Sequence, residues 1–151
     1  MASKIEATLA LLKPDLFANP LAISRIEHAV AAHSFRIVSR KRVVWTIDDA
    51  QKFYAEHEGK PFFARLVSYM TSGPIYALAL TKPCAIAEWR QLIGSTRPVQ
   101  MRINRPDTLR ARFGLTDTRN SFHGSDSVQS ATRELELVFG PSAYAKFTAY
   151  Q

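Results

Sequence analysis

Residues 8–12 form a short apolar run that stops at Lys13-Pro14-Asp15. Proline cannot continue a central strand, so the strand ends near Lys13. From Asn19-Pro20 the period lengthens, with Ile23, Ile26 and Val30 at helical spacing. Residues 35–45 are rich in β-branched and aromatic side chains and predict a long strand, its Arg and Lys on one solvated face. Thr46-Ile47-Asp48-Asp49 has the form of a capping box, and Ala50, Phe53, Tyr54 and His57 then follow helical spacing as far as Gly59. Pro61 suits the first turn of another helix, with an apolar stripe of Phe63, Leu66, Val67 and Met70 that ends at Gly73-Pro74. Residues 75–81 predict a third strand. Residues 83–93 predict a helix that buries Ile86, Trp89 and Ile93 and closes at Gly94.

The stretch 95–118 has no period and holds two prolines, which predicts a long functional loop with one short helical turn near 107–112. A short strand near 119–123 leads into a last helix over 126–139, which Gly140-Pro141 ends before a short tail. With the two short middle helices merged, the order is βαββαβ plus a closing helix. That is a ferredoxin-like α/β (α+β) arrangement: one domain over 1–151, a four-stranded antiparallel sheet with helices packed on one face.

Composition narrows the function classes. A chain of 151 residues is large enough to bury a real core. No stretch of 18 apolar residues suggests a membrane span, and no signal or transit segment is visible at the N-terminus. The single cysteine, Cys84, excludes an internal disulfide framework and disfavours a structural zinc site. These features predict a cytoplasmic protein. The net charge of +7 points to an anionic partner. Arg90, Arg97, Arg102, Arg105, Arg110, Arg112 and Arg119 crowd one third of the chain among only three acids, Glu88, Asp107 and Asp117. Arginine grips phosphate oxygens in a fixed fork, although the same cluster also fits a plain solvated basic surface.

On the last helix, Val128, Ala131, Leu135 and Val138 share one stripe, and Glu134 falls at its edge. A partly buried carboxylate needs a donor. His123, just before the helix, supplies one if the chain doubles back over the helix face. A helix N-terminus attracts phosphate, and Gly124 allows a ligand or another backbone to approach closely. Ser125 or Asp126 can cap the helix, with Gln129 completing a box in the second case. Histidine is a competent nucleophile when a second group fixes its tautomer. From these patterns alone, His123 reads as a capping or surface residue more readily than as a catalyst. His28 and His33 sit on an ordinary helix, and His57 closes an apolar stripe as a structural residue.

Three segments carry a resemblance: TLALLKPD at 8–15, KPFFARLVSYMTSGP at 60–74 and TRNSFHGSDS at 118–127. Together they closely resemble the nucleoside diphosphate kinases, in register from about Leu9 to Phe139. The resemblance implies a ping-pong transfer of the γ-phosphate between nucleoside di- and triphosphates (ATP, GTP and others) through a phosphohistidine. It makes His123 the phosphorylated residue and Glu134 the group that orients its ring. It puts Lys13 near the transferred phosphate and the ribose hydroxyl, and Tyr54 and Ser125 in the active site. Arg90, Thr96 and Arg110 match phosphate-binding residues, Asn120 the sugar ligand, and Phe62 and Leu66 the clamp on the base. Mg2+ is implied, held mainly by the nucleotide phosphates rather than by protein ligands. A base held by stacking on Phe62 predicts broad base specificity.

The segment between Thr96 and Arg110 is three residues longer than in the commonest members, and GLTDTRN at 114–120 is closer to a divergent branch of the family. In the common members this segment packs at subunit contacts. A homo-oligomer is therefore implied, with the hexameric form left open by the longer 97–109 loop, and the divergent branch makes mitochondria the alternative compartment. Asp117 stands where common members place an apolar residue near the base. One alternative is an RNA-binding domain of the same topology, but the K/R-G-F/Y-G/A-F-V-x-F/Y run it needs is missing, which leaves at most weak, non-specific nucleic-acid binding. The other is a weakly active or inactive family member that serves as an interaction or nucleic-acid-binding protein.

Overall fold

The computed structural model describes residues 4–17, 19–94, 98–113 and 122–149. Strand β1 (Ile5–Leu12) leads through a short helix α1 (Pro14–Phe17) into α2 (Pro20–Ala32) and then β2 (Arg36–Val43). Helix α3 (Ile47–Phe53), a 3₁₀ turn (Ala55–His57) and α4 (Phe63–Met70) separate β2 from β3 (Ile75–Pro83). Helices α5 (Ala85–Ile93), α6 (Pro98–Asn104) and α7 (Leu109–Phe113) precede β4 (Phe122–Gly124), and α8 (Val128–Phe139) and α9 (Ala143–Thr148) close the chain.

The strands form one antiparallel sheet in the order β2-β3-β1-β4, which is the ferredoxin-like topology expected. Its helices lie on both faces, not on one. Side chains alternate across a strand, and from Leu9 to Leu12 β1 is apolar in both phases. Leu9 and Leu11 join a core with Phe53, Val67, Met70 and Leu135, from α3, α4 and α8. Ala10 and Leu12 join a second core with Ile26, Trp89, Ile93 and Leu109, from α2, α5 and α7. A run buried on both faces reads as continuous rather than alternating, so β1 gave no sign of which face was covered.

Other boundaries shift for local reasons. Residues 98–113 hold two short helices where a mostly irregular loop was expected. At seven and five residues they are too short to display a period. The tail after Gly140 contains α9, whose Tyr144 and Phe147 pack on the first core. Thr46 and Asp49 do form the expected capping box. The cap of α8 is Ser127, which accepts from the Ser130 amide, so neither Ser125 nor Asp126 holds that position. Of the strand expected near 119–123, residues 119–121 lie outside the described residues. Among the described residues no helix is long and apolar enough to cross a membrane.

Candidate active site

His123 stands on β4, not at a helix start. It is registered opposite Leu11 of β1, and cross-strand partners share a face. The imidazole therefore projects towards the first core, where α8 and α3 are packed. There its Nε2 lies 2.7 Å from Glu134 Oε1. The same carboxylate oxygen accepts from Ser125 Oγ at 2.8 Å, and the Leu9 amide donates to that hydroxyl at 3.3 Å. Glu134 is only 4% exposed. A carboxylate at that depth costs heavily unless its oxygens are satisfied, and two donors meet one of them here. The tie between carboxylate and imidazole runs from α8 to an edge strand, and its anchor reaches β1.

The ring is held on its faces as well. Phe53 packs edge-on at 5.1 Å between centroids, and Tyr54 at 6.3 Å. The His123 carbonyl accepts from the Trp89 indole at 3.0 Å. Gly124 has its reason here. A Cβ built on it would lie 2.7 Å from Trp89 Cδ1, so the missing side chain makes room for an indole of the second core rather than for a ligand.

An open cavity of about 1060 Å³ meets the ring, lined among others by Lys13, Tyr54, Phe62, Arg90, Arg110 and Glu134. A cavity of this size is ample for a nucleotide. Phe62 stands at its exposed side, and Leu66 is half-buried against the first core. Phe63 fills the core slot beside Phe62. Thr96 and Asn120 lie outside the described residues. The other expected site residues converge on this cavity, except Ser125, which is fully buried behind Glu134.

The electrostatics follow from crowding cations at low exposure. Burial pushes the Lys13 ammonium down to about 7; the Arg110 charge pushes the same way, and Asp15 opposes both. Burial, with the Arg90 charge, brings the Arg110 guanidinium down to about 10. Arg110 donates to the carbonyls of Gly94 and, at 2.7 Å, Phe122, while its buried Nε has no partner among the described residues. Burial raises the Tyr54 phenol, with the Glu134 charge adding, and its hydroxyl likewise has no partner among the described residues. Partly satisfied buried cations facing a cavity favour an anion in it. Among the described residues no three His, Cys, Asp or Glu side chains gather as a metal cage.

Sequence reasoning missed several lining residues. His57, read as structural, lines the cavity, with its ring stacked on Tyr54 and 5.3 Å from Phe62. Its helical spacing from Tyr54 was the available signal. Phe53, which packs on the His123 ring rather than lining the cavity, was assigned only to a helix stripe. Met101 and Arg105 reach the cavity from the region expected as loop.

With this geometry in place, a family model described as Nucleoside diphosphate kinase matches residues 6–144. The chain belongs to that family. Nucleoside diphosphate kinase 6 of Homo sapiens is 47% identical over 135 residues, covering 89% of this chain and 73% of that protein. This agrees with the divergent branch that the sequence suggested. The nucleoside diphosphate kinase of Mycobacterium avium (strain 104) is also 47% identical, over 140 residues, covering 89% of this chain and 96% of that one. In structure, the Aquifex aeolicus nucleoside diphosphate kinase superposes with a TM-score of 0.88 at 34% identity, covering 93% of this chain and 99% of that chain.

Proposed function

We propose that the protein is an active nucleoside diphosphate kinase that carries a phosphoryl group on His123. The observation behind this reading is the short contact between His123 Nε2 and Glu134 Oε1 at the edge of a cation-lined cavity. A carboxylate oxygen accepts, so Nε2 carries the proton and Nδ1 keeps its lone pair for attack. In the first half-reaction Nδ1 bonds to the γ-phosphorus of a nucleoside triphosphate, and the bond from that phosphorus to the β,γ-bridging oxygen breaks. The diphosphate leaves. In the second half-reaction an oxygen of a different diphosphate takes the group back from nitrogen. Positive charge develops on the imidazole as it is phosphorylated, and Glu134 stabilises it.

Lys13, Arg90 and Arg110 offset the negative charge moving between the oxygens, and Thr96 and Asn120 complete the grip on phosphate and sugar. Tyr54 borders the ring that reacts. Phe62 and Leu66 hold the base by its face, which suits purines and pyrimidines alike. When bound, Mg2+ would offset part of the negative charge of the phosphates. Its ligands would come mainly from the nucleotide phosphates, as the family resemblance implies. The working form is a homo-oligomer.

The test is incubation with γ-labelled ATP and magnesium. The expected product is an acid-labile, base-stable phosphoprotein that passes its label to added nucleoside diphosphates. Substituting His123→Ala abolishes it. Label that survives this substitution removes the mechanism, and a parent chain that takes up no label favours the reading as an interaction protein.

A further inference from the structure

Three more arginines of the α6–α7 segment, Arg102, Arg105 and Arg112, carry no role in the reaction described above. They go to different places. Arg102 Nε donates to the Ala111 carbonyl at 3.0 Å and ties α6 to α7. Arg112 lies over the Phe113 ring at 5.3 Å. Arg105 alone of the three reaches the cavity that also holds Lys13, Arg90, Arg110 and His123.

Arg105 sits on a firm mount. Its amide donates to the Met101 carbonyl at 2.8 Å, and its own carbonyl accepts from the Thr108 amide at 3.1 Å and the Thr108 hydroxyl at 2.9 Å. Thr108 is itself buried. The guanidinium, by contrast, is loosely held. It faces Asp107 through Nε to Oδ1 at 3.3 Å and Nη2 to Oδ2 at 3.4 Å, with the two side chains 54% and 72% exposed. A two-pronged ion pair this long and this wet contributes little and is readily exchanged. The fork that meets a carboxylate edge also meets two oxygens of a phosphate.

We infer that Arg105 is a further phosphate-binding residue of this cavity, which leaves Asp107 to grip the phosphate chain of an incoming nucleotide. The inference rests on the nucleotide-kinase reading above and adds to it a ligand supplied by the α6–α7 segment. Asp107 then acts as a stand-in that keeps the fork open and aimed while the cavity is empty. The stand-in also makes binding selective for phosphates over other anions that cannot match two prongs. Substrates with more phosphate oxygens gain more from Arg105.

Calorimetric titration of the full chain with ADP and magnesium, at several salt concentrations, tests this. Arg105→Gln is expected to weaken ADP binding about five- to tenfold at low salt and to flatten its salt dependence, with an unchanged melting temperature. Asp107→Asn removes the competitor and is expected to leave binding equal or tighter. Arg105→Gln binding within about twofold of the parent overturns the inference. So does an Asp107→Asn that weakens binding as much as Arg105→Gln, because the pair would then only shape the segment. A parent chain that binds ADP, with the Arg105 effect, yet takes up no label on His123 overturns the phosphotransfer reading alone. A parent that binds no ADP overturns both.

Discussion

Lys13 shows what a single residue brings to the site and what it costs. The chain carries its ammonium to 5% exposure at the end of β1, beside the Arg110 charge. Its folded value is about 7 against an ordinary 10.5. Between these values the unfolded chain holds a proton that the folded chain has lost, so stability rises with pH across that window and is lost as pH falls towards 7. Lys13→Met removes the buried cation. The expected result is a melting temperature above the parent's at about pH 6, by a margin that shrinks as pH rises towards 10. Thermal unfolding in a pH series reads this directly, and a lower melting temperature at acid pH would contradict it. The motif made Lys13 legible as a site residue. Its burial was not legible, because it depends on Tyr69, whose ring lies 5.9 Å from the ammonium, and on Arg110, a hundred residues away in sequence, on roughly the scale of the whole domain.

At the scale of elements, the site is a junction of β4, α8 and α5. Glu134 was legible from the α8 stripe, because helical spacing alone puts it at the buried edge. Gly124 was legible as a close approach but not as an approach by Trp89. The indole reaches β4 from α5, is fully buried, and donates to the His123 carbonyl. A methyl at Gly124 meets it at 2.7 Å, and a rigid ring in a filled core cannot give. Gly124→Ala is therefore expected to destabilise the fold by about 1–3 kcal/mol. Urea unfolding measures this as a lower midpoint with an unchanged slope. An unchanged midpoint would mean that α5 shifts without cost. Helix α6 was misread as loop for a different reason, while α7 stands where the short turn near 107–112 was expected. Their stability comes from contacts such as Arg102 to the Ala111 carbonyl and the burial of Leu109, not from an internal period.

At the scale of the molecule, the sheet separates two cores, and the cavity opens where β1 ends and β4 begins. The first core is finished by α9, the part of the chain that carried no motif. Phe147 packs there against Phe139, with ring centroids 5.5 Å apart. Phe147→Ala is expected to cost about 1–3 kcal/mol, less than for a fully buried ring, with little change in nucleotide binding. Chemical denaturation and ADP titration of the same variant separate the two effects. An unchanged denaturation midpoint would show that α9 is dispensable to the core. By itself the sequence determined the βαββαβ order, the family and most of the site's residue types, because periodicity and short motifs are local properties. Only the tertiary structure decided three things: the covering of both sheet faces, the station of His123 on an edge strand with its Nε2 on Glu134, and the entry of His57 and Arg105 into the cavity. Each depends on contacts between segments far apart in the chain, and a one-dimensional pattern carries no record of which distant partner fills the space beside it.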